Sequence, residues 1–115
     1  MDFQELINKA KHIKTKYRVL NRLEGGRHWG ADEYLKGFMG DVGDLSKLIM
    51  AKQGYQFADI DVDSKLEHEL ADCLYAIIAI SDELDIDLEN AFLKTMKHLE
   101  TKIAEKSIKP MRKKI

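Results

Sequence analysis

The sequence contains one cysteine, one proline and few aromatic residues. The single cysteine, Cys73, cannot form an internal disulfide, which is typical of a reducing compartment, so we expect a cytoplasmic protein in which this thiol packs in the core. The shortage of proline favours helices. The chain also has no apolar run of about 18 residues, and residues 1–20 lack the apolar segment of a signal peptide. We therefore expect neither a membrane span nor a membrane partner.

An excess of charge of one sign is also missing. Nineteen lysines and arginines stand against 20 aspartates and glutamates, a formal net charge of −1, and this balance gives no reason to expect a nucleic acid partner. With 115 residues, 44% hydrophobic and 34% charged, the composition is that of one globular domain. We predict a single helical domain over residues 1–105, followed by a basic C-terminal tail over residues 106–115.

Four amphipathic segments carry apolar residues at steps of three and four, which is the spacing of an α-helix. They cover about residues 3–23, 32–52, 64–84 and 87–103. The third segment is apolar around much of its circumference, so we expect it to be the most buried element. Segments of similar length with short connections predict an all-α protein folded as an antiparallel four-helix bundle.

The ends of these segments carry recognisable start and stop signals. Glu-Gly-Gly at residues 24–26 ends the first helix and Gly54 ends the second, before a linker over residues 55–63. Ser64 and Glu67 have the spacing of a capping box at the start of the third helix, and Asp87 is a favourable N-cap for the fourth.

Acidic residues recur at a spacing of three on the second and third helices, as Asp41 with Asp44 and Glu69 with Asp72. Residues three apart share one helix face, and both pairs lie at the edge of the apolar stripe. Neighbouring helices would therefore bring four carboxylates together, which repel unless a cation or protons offset them. Mg²⁺, or Mn²⁺, suits a site made only of carboxylates. A solvated face is the alternative interpretation of each pair taken alone.

Three glycines accompany the first acidic pair, at Gly37, Gly40 and Gly43. Each costs about 1 kcal/mol relative to alanine in a helix interior, so a compensating role is expected. A strip without side chains lets another backbone or a bulky ligand come close. Tight helix packing and ligand access remain the two alternatives for this strip.

Together these motifs resemble a known family. Gly-Asp-x-Gly-Asp-Leu at 40–45, Glu-Leu-Ala-Asp at 69–72 and Ile-Asp-Leu-Glu-Asn-Ala at 86–91 resemble the MazG-like all-α nucleotide pyrophosphohydrolases. The usual signature of that family is E-E-x-x-E followed by E-x-x-D on the next helix, and some dCTP-pyrophosphatase-like branches read G-E-x-G-E. The resemblance covers roughly residues 30–103.

The resemblance implies a reaction and a set of ligands. Asp41, Asp44, Glu69 and Asp72 stand where the family has its metal-binding carboxylates. The implied activity is Mg²⁺-dependent hydrolysis of a (deoxy)nucleoside triphosphate to monophosphate and pyrophosphate, with a metal-activated water as the attacking group and a house-cleaning role. It also implies a homodimer or homotetramer in which two subunits build each pocket.

The sequence departs from the family at four positions. Asp41 and Asp44 replace glutamates, and the lysine and asparagine that many members place near phosphate on the last helix are here Thr95 and Leu99. These departures keep open two alternatives, a metal- or nucleotide-binding module without catalysis and a helical oligomerisation module.

Three further residues are candidates for binding the substrate. Lys52 and Lys102 could take over the phosphate contacts that Thr95 and Leu99 cannot make. Trp29, in the loop Gly-Arg-His-Trp-Gly, offers a π face on which a base could stack. Its alternative role is a plug over the end of the bundle.

Overall fold

The computed structural model describes residues 1–54 and 61–113, with side chains to residue 107. These residues form four α-helices and no strand: α1, Phe3–Leu23; α2, Ala31–Lys52; α3, Val62–Glu83; and α4, Leu88–Lys113. The prediction of an all-α protein is confirmed. None of the four helices is both long and apolar enough to cross a membrane. Residues 55–60 of the predicted linker, and the side chains of residues 108–115 in the predicted tail, lie outside the described part.

Most helix ends follow the signals in the sequence. Asp2 and Asp87 each accept a hydrogen bond from the backbone N–H three residues later, at 2.8 and 3.0 Å, and so cap α1 and α4. Gly25 and Gly54 have φ angles of +80° and +86° just beyond α1 and α2. The left-handed conformation at these two positions is one that glycine adopts without strain, which explains why both helices stop there.

The predicted capping box at the start of α3 is wrong. The helix begins at Val62, so Ser64 lies inside the first turn rather than before it, and Glu67 lies in the second turn. Asp61 occupies the N-cap position, and its carbonyl accepts the N–H of Lys65 at 3.1 Å. Acidic residues at the start of a helix interact favourably with its dipole, and this start has one at the cap and a second in the first turn.

The chain divides into two compact units, Met1–Asp85 and Ile86–Ile115. In the first unit, α3 packs against both α1 and α2. Lys52 at the end of α2 forms an ion pair with Asp63 at the start of α3, so the two helices run antiparallel. The expectation that α3 is the most buried helix is confirmed by its five buried residues, Cys73, Ala76, Ile78, Ala79 and Ser81. The second unit contains α4.

A buried lysine joins α1 to α3. Lys14 is 4% exposed, and its ammonium lies 2.9 Å from Asp82 Oδ2 and 2.7 Å from Glu83 Oε1. Burial alone would lower the pKa of Lys14, but the hydrogen bonds to Glu83 and Asp82 outweigh it and hold the pKa above the usual value. The same ammonium lies 5.9 Å from the ring centroid of Tyr34 on α2. One side chain thereby connects all three helices of the first unit.

Much apolar surface stays exposed in the single chain. No residue of α2 is buried, and large apolar side chains of α2 and α3 are between 39% and 65% exposed: Leu35, Met39, Val42, Ile49, Met50, Leu70, Leu74 and Ile77. A Cβ atom built on any glycine of the strip would meet nothing within 4 Å outside its own helix backbone. The strip therefore does not serve tight packing among the described helices of one chain.

Candidate functional site

Three carboxylates converge between α2 and α3. One oxygen from each of Asp41, Glu69 and Asp72 lies within 4.8 Å of the others, and all three residues are half-buried. We refer to these residues as the acidic cluster. Glu69 and Asp72 share one face of α3, and the antiparallel packing of α2 places Asp41 opposite them. Asp44, one turn further along α2, is exposed and lies outside this 4.8 Å group.

The surroundings of Glu69 disfavour the charged form of its carboxyl group. Burial raises the pKa of its carboxyl group, and the neighbouring charges of Asp41, Asp44 and Asp72 raise it further. Its Oε2 atom is buried and has no hydrogen-bond partner among the described residues. A buried carboxylate oxygen without a partner, on a side chain close to other carboxylates, is unfavourable unless a proton or a cation neutralises the group. The donor set, made only of carboxylate oxygens, fits Mg²⁺ or Mn²⁺.

Two neighbours complete the surroundings of the acidic cluster. His68, one turn before Asp72 on α3, places its Nε2 atom 3.0 Å from Asp72 Oδ2. Cys73 is buried beside the cluster, and burial, followed by the charges of Asp41, Glu69 and Asp72, raises the pKa of its thiol. A thiol that stays protonated is a poor nucleophile, so these findings agree with the packing role expected for Cys73.

Two neighbouring cavities lie on this part of the first unit, and one of them reaches the acidic cluster. The first, of about 130 Å³, is called here the junction cavity, and its lining consists of Trp29, Tyr34, Gly37, Phe38, Asp41, Asp72, Tyr75 and Ala76. The second, of about 310 Å³, is called the aromatic cavity, and its lining consists of Tyr17, Asn21, Trp29, Tyr34 and Tyr75. Three aromatic residues line both cavities, and two carboxylates of the acidic cluster line the first. The two cavities are therefore neighbours with three aromatic walls in common, and these two carboxylates line only the first.

The aromatic residues are held in place by one another. The rings of Trp29 and Tyr34 pack edge to face, with centroids 5.5 Å apart and planes at 70°. Trp29 remains 46% exposed, so part of its surface is open to a ligand. Burial, with smaller contributions from Tyr34 and Tyr17, raises the pKa of Tyr75 to about 12. At neutral pH this hydroxyl is protonated, and it donates its hydrogen bond to the Tyr34 hydroxyl.

The two lysines predicted to bind phosphate belong to different units of the chain. Lys52 pairs with Asp63 and lines neither cavity. Lys102, Thr95 and Leu99 lie on α4, in the second unit. The Thr95 hydroxyl donates to the carbonyl of Ala91 at 2.9 Å. The assignment of Lys52 and Lys102 to phosphate stays a prediction.

Sequence reasoning did not identify most of the aromatic cavity. Tyr17 and Asn21 are four residues apart on one face of α1. Tyr34 lies seven residues before Asp41, and Tyr75 three residues after Asp72, so each tyrosine shares a helix face with an acid of the cluster. A search for aromatic residues on the same helix faces as the acidic pairs would have predicted this part of the aromatic cavity.

The function of the acidic cluster and of the two cavities has to be inferred from their own chemistry. No family model matches the chain, and no curated protein or solved structure matches it either.

Proposed function

We propose that the protein is a Mg²⁺-dependent nucleotide pyrophosphohydrolase, resembling the dCTP-pyrophosphatase-like branch of the MazG-like enzymes, that converts a (deoxy)nucleoside triphosphate to monophosphate and pyrophosphate. The observation that carries this proposal is that a cluster of carboxylates lies next to a cavity lined by aromatic rings. Asp41 and Asp72 line a cavity that shares three aromatic walls with the larger aromatic cavity. A nucleotide has the matching ends, a planar base and a polyphosphate that binds divalent cations.

The aromatic cavity suits the base. Its volume of about 310 Å³ is at the lower end of the range for small-molecule sites, roughly 300–1,000 Å³. The exposed face of Trp29 offers stacking, which typically contributes about 1–3 kcal/mol per base. The amide of Asn21 offers hydrogen bonds to the edge of the base.

The acidic cluster suits the metal-bound phosphates. Asp41, Glu69 and Asp72 would hold Mg²⁺, with Asp44 as a fourth ligand by the family resemblance. A bound Mg²⁺ would neutralise phosphate oxygens and lower the pKa of a coordinated water. The pKa of Glu69 is raised by the very charges that such an ion would offset, and the partnerless Oε2 atom would gain a partner.

A second candidate is a module that binds the metal or the nucleotide without turning it over. It is favoured by Thr95 and Leu99, which replace phosphate-binding side chains of the family, and by the hydrogen bond that commits the Thr95 hydroxyl to its own helix. In the catalytic proposal, Lys52 and Lys102 supply the missing positive charge. A helical oligomerisation module is the third candidate.

Turnover of nucleotides tests the proposal directly. We expect a panel of canonical and damaged triphosphates, incubated with Mg²⁺, to include at least one that yields monophosphate and pyrophosphate. Trp29→Ala should raise KM for that substrate about tenfold or more through lost stacking, whereas Trp29→Phe, which keeps a ring, should change it less. Calorimetric binding without turnover would instead support the module, and an absence of both binding and turnover would support the oligomerisation candidate.

The proposal also includes an antiparallel four-helix bundle, assembled as a cytoplasmic homodimer or homotetramer. Large apolar side chains exposed on α2 and α3 support the assembly, since a second copy would cover them. Met39 stands out among them because it is 65% exposed at the middle of α2.

Substitution of Met39 tests this assembly. Met39→Glu should dissociate the oligomer, with at least a hundredfold rise in its dissociation constant, because the interface would bury an unpaired charge. Light scattering at micromolar concentration measures the change. Leu23→Glu introduces the same side chain at a site that is 79% exposed at the end of α1, and it should leave the mass unaltered. A wild-type monomer at these concentrations would contradict the assembly.

A further inference from the structure

A second concave site lies on the first unit, on α1 and the loop that follows it. Its lining consists of Arg18, Arg22, Gly26 and His28, and its volume is about 320 Å³. We refer to it as the basic pocket. It shares no lining residue with the acidic cluster, the junction cavity or the aromatic cavity. Among the described residues no carboxylate lines it, and its polar side chains are two guanidinium groups and one imidazole.

The positive charge of the basic pocket is only partly compensated. Glu83 is the nearest carboxylate, with Oε1 at 3.4 Å from Arg18 Nη2 and 3.5 Å from His28 Nε2. The same oxygen lies closer, at 2.7 Å, to the ammonium of Lys14. Glu83 is therefore shared among three groups and cannot neutralise the pocket.

Arg22 has no such compensation. Within residues 1–54 and 61–107, no carboxylate lies within 4.0 Å of its guanidinium. Arg18 and Arg22 are four residues apart, so they present their guanidinium groups on one face of α1. Like charges at this spacing destabilise a helix slightly, and an anion bound between them would reverse the sign of that interaction.

We propose that the basic pocket binds a phosphoryl group of a small phosphorylated ligand. The planar fork of a guanidinium matches phosphate oxygens in a bidentate geometry, and two forks with an imidazole can surround one such group. The volume of the pocket fits a small anion rather than a macromolecule. This site does not depend on the proposed enzymatic function, since none of its residues belongs to that site.

Binding of phosphate to metal-free protein tests this inference. With EDTA present, the acidic cluster is negative and repels phosphate, so binding reports on the basic pocket. Inorganic phosphate and pyrophosphate, each titrated at 150 mM NaCl, should give saturable ¹H–¹⁵N shifts centred on the Gly26 amide and the Nε–H groups of Arg18 and Arg22. Arg22→Gln should weaken both ligands about tenfold or more, and Arg22→Lys, which keeps the charge but loses the fork, should give a smaller loss.

Arg27→Gln is the matched control. This guanidinium lies next to the pocket in sequence, but it is 85% exposed and pairs with Glu33 at 3.2 Å instead of lining the pocket. We expect Arg27→Gln to change the affinity less than twofold. Equal losses in the two variants, or shifts spread evenly over all exposed lysines and arginines, would overturn the assignment, as would the absence of saturable shifts up to 10 mM of either ligand. Far-UV circular dichroism shows that each variant keeps its helices.

Discussion

Glu69→Gln is expected to raise the melting temperature of the metal-free protein and to abolish its stabilisation by Mg²⁺. In the folded protein, burial and the charges of Asp41, Asp44 and Asp72 raise the pKa of Glu69. A carboxyl group whose folded pKa lies above its unfolded value destabilises the fold at any pH above that folded value, because its charged form is then the disfavoured one. Glutamine removes this charge while it keeps the shape of the side chain.

The stabilisation of the protein by Mg²⁺, in contrast, should be lost in this variant. For wild type, a ligand at about 100 times its dissociation constant adds about 2.7 kcal/mol to the free energy of unfolding, and Glu69→Gln should lose this gain. Hydrolysis of a triphosphate should fall at least about a hundredfold, equivalent to about 2.7 kcal/mol of lost transition-state stabilisation. Thermal scans with and without 5 mM Mg²⁺, and a pyrophosphate-release assay, measure the two effects.

Glu67→Gln provides the matched control for this prediction. Glu67 lies two residues earlier on α3, is exposed and is not part of the acidic cluster. The same removal of one negative charge should therefore leave the Mg²⁺ response and the hydrolysis rate unaltered. A lower melting temperature for metal-free Glu69→Gln, or a wild type whose melting does not respond to Mg²⁺ or Mn²⁺, would contradict the metal site.

Lys14→Met should lower the free energy of unfolding by about 2–4 kcal/mol at pH 7. Lys14 is buried, and its loss leaves Asp82 and Glu83 without their closest cation. Removal of one partner from a buried ion pair usually costs about 3–5 kcal/mol, and the partial exposure of Asp82 reduces that figure here. Urea denaturation measures the change. Lys16→Met, on the exposed side of the same helix, should stay within about 0.5 kcal/mol of wild type.

The pH dependence of this network follows from the pKa shifts. The hydrogen bond from Lys14 lowers the pKa of Asp82, and the same cation outweighs burial to lower that of Glu83. Their contribution to stability is thus present above the unfolded values of 3.8 and 4.5 and is lost as the pH falls through the lower folded values. The raised pKa of Lys14 adds stability that is lost only as the pH rises beyond 10.5.

Comparison of Lys14→Met at two pH values separates charge from packing. At pH 3 the two carboxylates are closer to protonated, so the variant should lose less stability relative to wild type than at pH 7. An equal loss at both pH values would show that Lys14 acts through its methylene groups alone. A loss in Lys16→Met as large as that in Lys14→Met would contradict a special role for the buried site.

Local patterns predicted the helices and two residues of the acidic cluster because those patterns act within a few residues. Apolar periodicity located the four helices, and the spacing of three located Glu69 and Asp72 on one face of α3. The start of α3 was misplaced because Ser64 and Glu67 have the right spacing for a cap, but nothing in that spacing shows whether the helix already began upstream.

The remaining features of the site depend on how the helices pack against one another, and residue spacing within one helix does not determine that packing. Asp41 and Asp44 differ by about 60° around α2, and the approach of α3 decides which of them joins the acidic cluster. Lys14 lies seven residues after the buried Ile7, so it falls on the buried stripe of α1, but its partners sit 68 and 69 residues away. The aromatic cavity likewise needs side chains from three helices and a loop.

Tyr34 belongs to two parts of the molecule at once. One neighbour of its ring is the ammonium of Lys14, 5.9 Å from the centroid, and the ring also forms a wall of both cavities. A ligand that shifts this ring would change the ionic contact between α1 and α3, and that contact would change the affinity for the ligand by the same factor. Movement of the Tyr34 ring alone would thus be enough to couple the cavities to the ion pairs of Lys14.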